Sequence, residues 1–224
     1  MHRVLGAAVM AGAALLSGCA HSVTGAAVAV VDESVFPLRA ADTALVLLSP
    51  DQLSAVVGGV LQVDADRHRP VPGGSAVAAC SPLDAVGMAA FVGQDWSGFR
   101  VLLFTGGADQ VVAEAVAVYP DAVAAAEAFG SGTRDVHTCD GQQALGAGGD
   151  AAWRFSVSDR GPDMVRWSKE QLAVPLTWVC HGEARLRNNA VLQAMACQGD
   201  DGGAQLVTRL ADRMSASVWE LSTR

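Results

Sequence analysis

No C-x-x-C pair occurs in this chain, no G-x-S-x-G, no H-E-x-x-H and no G-x-x-x-x-G-K-[ST]. Those absences remove the nucleophile elbow, the zinc-peptidase helix and the phosphate loop. Basic residues are also short: 15 Lys and Arg stand against 23 Asp and Glu, a formal charge of -8. Net charge therefore excludes attraction to nucleic acid or to an anionic membrane surface. After residue 18 no apolar run approaches the roughly 20 residues that a bilayer-crossing helix needs. Aromatics are scarce at 5%, with a single tyrosine but five tryptophans.

What is present begins with "MHRVLGAAVMAGAALLSGCA". Arg3 precedes a short apolar run that closes on small residues, the pattern of an export signal. Leu16-Ser17-Gly18-Cys19 looks like a bacterial lipobox, in which Cys19 is acylated and becomes the first mature residue. The expected organisation is a lipoprotein signal peptide over 1–18, a lipidated tether over 19–41 and one domain over 42–224. Such an anchor holds a protein on the outer face of the cell membrane.

Five cysteines leave one without a partner in an exported chain. Giving Cys19 to lipid leaves four. In "CHGEARLRNNAVLQAMAC" the pair Asn188-Asn189 lies midway between Cys180 and Cys197. Asparagine tolerates the positive φ of a two-residue hairpin turn. Pair types alternate outward from such a turn, so Cys180 faces Cys197 at a non-hydrogen-bonded position, Cα atoms about 4.5 Å apart. That separation suits a disulfide. Cys80 is left to pair with Cys139, closing a long loop worth roughly 4 kcal/mol on the chain-entropy model.

Along the domain, "LLSPDQLSAVVGG" signals a helix: Ser49 caps, Pro50 takes the first position and Gln52 closes a capping box. Residues 64–75 read as a charged, glycine-rich loop. "FRVLLFT" and "VVAEAVAVY" read as an antiparallel strand pair joined by "GGADQ". Pro120-Asp121 opens an alanine-rich helix ending at Phe129-Gly130. "AAWRFSVSD" and "DMVRWS" are further strands before the hairpin, and Asp200-Asp201 cap a terminal helix with Leu206, Leu210, Met214 and Val218 on one face. The expected class is α+β, an antiparallel sheet with helices packed on one side.

The segments "LLSPDQLSAVVG", "VVAEAVAVYPDAVAAAEAF" and the long run from "WVCHGEARLRNN" to "RMSASV" together resemble the PknH-like extracellular sensor domain. That domain forms the outer part of a mycobacterial serine/threonine kinase and recurs in stand-alone lipoproteins. The resemblance spans about residues 42 to 220 and implies an α+β fold with two disulfides, matched by Cys80–Cys139 and Cys180–Cys197. It also implies a cleft for an unidentified ligand. The chain has neither kinase nor membrane-spanning segment, so any response lies elsewhere.

Site candidates follow from residue type. Trp96, Trp153 and Trp167 are candidates for an aromatic cleft wall, against the simpler use of a strand tryptophan as core. Arg185 and Arg187 alternate with Glu183 on the hairpin and are candidates for an anionic headgroup, against a plain solvated sheet face. His137 and His181 beside Cys139 and Cys180 would suit zinc only if the thiols were reduced, and Asp64 with Asp66 reads as a solvated loop rather than a cation site. No cofactor, metal or catalytic residue is expected. The expected function is binding of an unidentified small molecule, lipid or glycan of the envelope, or of another envelope protein. An envelope hydrolase without a motif and a purely structural module are the alternatives.

Overall fold

Every position of "VVAEAVAV" is apolar except one, and a strand of that kind belongs in the middle of a sheet covered on both faces. The computed structural model, which describes residues 35–107, 110–149, 151–175, 177–199 and 202–224, puts it there. The elements in chain order are α1 (Thr43–Val46), α2 (Pro50–Val57), β1 (Leu61–Arg67), α3 (Ala89–Val92), β2 (Gly98–Gly106), β3 (Val111–Val118), α4 (Ala122–Thr133), β4 (Gln143–Leu145), β5 (Ala152–Arg160), β6 (Met164–Gln171), β7 (Val179–Arg187), β8 (Ala190–Gln198) and α5 (Gly203–Ser222). The strands form one eight-stranded sheet in the order β1-β2-β3-β8-β7-β6-β5-β4, antiparallel at every pairing. Two meanders thus meet where β3 pairs with β8.

The α+β class and both disulfides are as expected, but helices cover both faces rather than one. On the first face α1, α2 and α5 bury Leu53, Leu206, Leu210 and Met214 against Phe104, Val112, Val116 and Leu192. On the second face α3 and α4 bury Phe91 and Phe129 in one cluster with Ala115 and Ala117 of β3, Phe155 and Trp167. Alanine at alternate positions of β3 leaves room for helices there, which is why that strand reads as alanine and valine in turn.

Local chemistry explains several boundaries. The Ser49 hydroxyl accepts from Gln52 N–H while the Gln52 side chain accepts from Ser49 N–H, and Gly58 ends α2 at φ 80°. Asp121 caps α4 by accepting from Ala124 N–H. That helix continues past Gly130 to Thr133, because Gly132 serves packing and not termination: a Cβ there would lie 2.2 Å from the Phe91 carbonyl oxygen. β1 occupies part of the expected loop. From Asp64 on its residues are mostly polar and exposed, and pairing with β2 plus the Arg100–Asp66 ion pair (2.8 Å) gives it order. The exposed charges also protect this sheet edge from pairing with other chains. α5 begins at Gly203; Asp200 and Asp201 lie outside the described residues.

The hairpin has the expected register, with Arg187 opposite Ala190 and Cys180 opposite Cys197. The Cα atoms of that cysteine pair are 3.9 Å apart, and those of Cys80 and Cys139 are 5.1 Å apart. In the turn only Asn188 takes positive φ, at 51°. Asn189 has a different task. Fully buried, it accepts from Leu38 N–H (2.7 Å) and donates to the Leu38 and Tyr119 carbonyls. Packed structure therefore starts ahead of residue 42, since Leu38 is buried and Phe36 N–H donates to the Ser222 carbonyl. The signal and lipobox residues, Cys19 among them, lie outside the described residues.

Candidate functional site

On the second face the helices stop short of the β1 end of the sheet. There Val101 and Leu103 of β2, Val111 and Ala113 of β3, and Met195 and Cys197 of β8 floor a depression of about 150 Å³. Val71, Ala85 and Val86 wall it, and Arg67 of β1 stands at the rim with Ala65. The wall is held by a buried contact. The Gln193 side-chain oxygen accepts from Gly87 N–H at 2.6 Å, while Val71 N–H donates to the Gly87 carbonyl at 2.9 Å. Gly87 has φ 72°, and a Cβ there would lie 2.9 Å from the Phe99 ring, so glycine alone fits. Arg67 is exposed and has no ion-pair partner among the described residues. The depression is aliphatic inside with one cationic group at its edge, which can hold an apolar group and meet an anion.

The tryptophans expected on a cleft wall lie elsewhere. Trp167 is a core residue: its indole N–H donates to the Leu83 carbonyl and its ring lies over Gly182, where a Cβ would come within 2.2 Å. Trp153 is half-buried with the Lys169 ammonium 4.3 Å above its ring. Trp96 is half-buried against Phe99, ring centroids 5.8 Å apart. None of the three lines the depression.

The arginines are likewise committed within the protein. The face that carries Arg185 is not solvated; α5 covers it. Arg185 is buried, bonded to Glu183 and, at 2.7 Å, to Asp212 of α5. Arg187 pairs with Asp163 at 2.7 Å. Neither offers a free guanidinium to a headgroup. With all four cysteines of the domain in disulfides, His137 and His181 have no thiolate beside them. Asp66 is engaged by Arg100, whose hydrogen bonds hold its carboxyl below the ordinary aspartate value. No group of three metal-ligating side chains occurs among the described residues, and no helix of theirs is long and apolar enough to cross a membrane.

Two buried polar features were not read from sequence. Lys169 donates to the Asp84 carboxylate (2.9 Å) and to the Asp84 carbonyl, and burial pushes its ammonium below the ordinary lysine value. Glu114, at the centre of β3, accepts from Leu48 N–H at 3.0 Å, while its other oxygen has no partner. Burial pushes this carboxyl up to about 8. One charged letter within "VVAEAVAV" was the signal available for it. A larger groove of about 790 Å³ runs between α3 and α4, with Glu127, Ser131 and Arg134 along it.

An antiparallel sheet covered on both faces by helices and stapled by two disulfides defines a disulfide-bonded α+β domain. The model of the PknH-like extracellular domain family matches residues 38–217, and the chain belongs to that family. Among solved structures it is similar to the extracellular domain of PknH from Mycobacterium tuberculosis, with a TM-score of 0.73, 17% identity, and coverage of 82% of this chain and 98% of that one. At that identity the likeness shows the fold. No curated protein matches the chain significantly.

Proposed function

We propose that this protein is a lipid-anchored, extracytoplasmic sensor-type domain that takes the apolar end of an anionic envelope lipid into the depression over β2, β3 and β8. The observation that carries the reading is an aliphatic hollow with an unpaired arginine at its rim. A hollow of about this size holds a benzene-sized group or the end of an acyl chain, not a whole lipid. Most of such a ligand would stay outside, its acidic head against Arg67. A glycan has less support, because aromatic faces that stack on sugars are missing from the lining. Membership of an extracellular-domain family supports the compartment, and the Leu16-Ser17-Gly18-Cys19 motif supports the anchor. The α3–α4 groove, with Gly130, Ser131 and Gly132 on its wall, favours a second reading in which a partner protein's segment lies there.

The site is tested with cis-parinaric acid, a fluorescent fatty acid that has both an apolar chain and a carboxylate. Binding to the purified domain is expected, and Ala113→Leu, which fills the floor, should weaken it by about tenfold or more. Arg67→Gln, at an exposed position, should weaken it by roughly threefold to tenfold. Thermal unfolding of both variants checks that the fold is kept. No binding by the folded wild type, or equal binding by all three proteins, sinks the reading.

The anchor has its own expected result. Wild-type protein from its native envelope should enter the detergent phase of a Triton X-114 partition, and Cys19→Ala should not be processed to the acylated form. Equal masses and equal aqueous partition of the two proteins would refute lipidation.

A further inference from the structure

Phe36 and Trp219 are the two aromatic members of the large apolar side chains that stand exposed among the described residues, each 61% accessible. They stand at one place. Phe36 N–H donates to the Ser222 carbonyl at 2.8 Å, and the Asn188 side-chain amide donates both to the Phe36 carbonyl and to the Ser222 hydroxyl at 2.8 Å. The Trp219 carbonyl accepts from the Thr223 hydroxyl at 3.0 Å, so the two aromatic residues are fixed within about one helical turn, roughly 5 Å of rise, of each other along α5. Leu45, 59% exposed, lies on the other flank of the same helix end, in a groove with Ala216 and Glu220. Arg39 and Arg224 are exposed close by in sequence, three residues after Phe36 and two after Ser222, and neither has an ion-pair partner among the described residues.

We infer that this end of the domain, with Phe36 and Trp219 as its contacts, rests on the bilayer surface that carries the lipid anchor. The inference relies on the lipidation of Cys19 proposed above. What selects a bilayer as the occupant is where the undescribed chain arrives. Residues leading from Cys19 join the packed domain at Phe36, seventeen residues on. Whatever path they take, they span at most about 60 Å. The anchor therefore keeps this end within about 60 Å of the lipid, at high effective concentration. Indole and phenyl rings on a rigid backbone favour the headgroup region, and two exposed arginines close to them in the chain are available to lipid phosphates. With a formal charge of -8 the domain as a whole is not attracted to an anionic surface, so contact depends on this patch.

The test uses the full lipidated protein reconstituted into phosphatidylcholine–phosphatidylglycerol vesicles whose acyl chains carry bromine, a contact quencher of tryptophan. Wild-type emission should fall relative to unbrominated vesicles, and Trp219→Phe should lose most of that quenching while unfolding at the same temperature. Phe36→Ser should reduce the quenching of Trp219 by loosening the contact. Mass spectrometry of the same sample reports the acyl groups on Cys19 separately. An acylated protein that is not quenched, or is quenched equally in wild type and Trp219→Phe, overturns the docking and leaves the anchor standing. A protein without acyl groups overturns the anchor and the docking together. Concentration-dependent dimers with a shielded Trp219 insensitive to bromine would assign the patch to a second copy and overturn the proposal.

Discussion

Between pH 5 and pH 8, Glu114→Gln should become steadily more stable than the wild type, by several kcal/mol at the upper end. In the folded protein this carboxyl titrates at about 8, because burial opposes its charge more than the Leu48 N–H supports it. In the unfolded chain it titrates near 4.3. Below about pH 4 both states hold the proton, so the site costs the fold nothing through ionisation. As pH rises, the unfolded chain gives up its proton and the folded one keeps it, so stability falls by about 1.4 kcal/mol per unit until the folded carboxyl ionises. Above about 8 the loss levels off, at ~5 kcal/mol as an upper bound. Glutamine keeps an oxygen for Leu48 N–H and has no proton to hold. Urea midpoints of both proteins at several pH values supply the difference, in which all other titrations cancel. Parallel curves for the two proteins would show that Glu114 is not the buried acid described.

The second large effect sits on the other side of the sheet centre, where α5 meets β7. Glu183 is buried and accepts from Arg166 Nε at 2.8 Å, from Arg185 Nε and from the Thr208 hydroxyl. Its charge also holds the Arg166 guanidinium above the ordinary arginine value, chiefly through that hydrogen bond. Glu183→Ala should destabilise the protein by about 3–5 kcal/mol, because buried Arg185 keeps only Asp212, whose side chain is largely exposed, as a charged partner. Replacing both partners, Glu183→Leu with Arg185→Met, should recover much of that loss, since paired apolar residues replace a desolvated ion pair. Chemical denaturation of the two single variants and the double variant completes the cycle. A double variant as unstable as the sum of the singles would show that packing under α5, and not an orphaned charge, sets the cost.

Elements with strong local signals were legible in the sequence. The Ser49–Gln52 capping box, the β2–β3 pair, the cysteine-stapled hairpin and the α5 stripe are all where their residues place them. What was not legible depends on neighbours distant in the chain. The second half of β1, Asp64 to Arg67, reads as a charged loop and becomes strand where β2 offers it an edge. Gly130 reads as a helix stop, yet α4 runs on to Thr133, with Gly132 packed against the Phe91 carbonyl. The hairpin face with Glu183, Arg185 and Arg187 alternates as a solvated face would, and no local rule shows that α5 closes over it. The same limit applies to the site. Tryptophan in a strand pattern cannot reveal whether a glycine such as Gly182 lies opposite to receive its ring, and Trp167 went to the core on that account. The depression is made by Val71, Val101, Val111 and Met195, ordinary residues that form a hollow only through how far the helices extend.

Asn189 gives the domain a defined way of bearing load. The chain that arrives at Phe36 is gripped by Asn188 and Asn189 at the tip of the hairpin before it reaches any strand. A pull on the N-terminal side, such as membrane movement would exert through an anchor, therefore runs into the turn joining β7 and β8. That turn is one end of a covalent ring closed at the other by the Cys180–Cys197 bond. The two strands inside the ring cannot be drawn apart end from end. Tension would first shear the side-chain amide bonds to Leu38 and Phe36, and the sheet and its apolar hollow would keep their shape while the strap gives way.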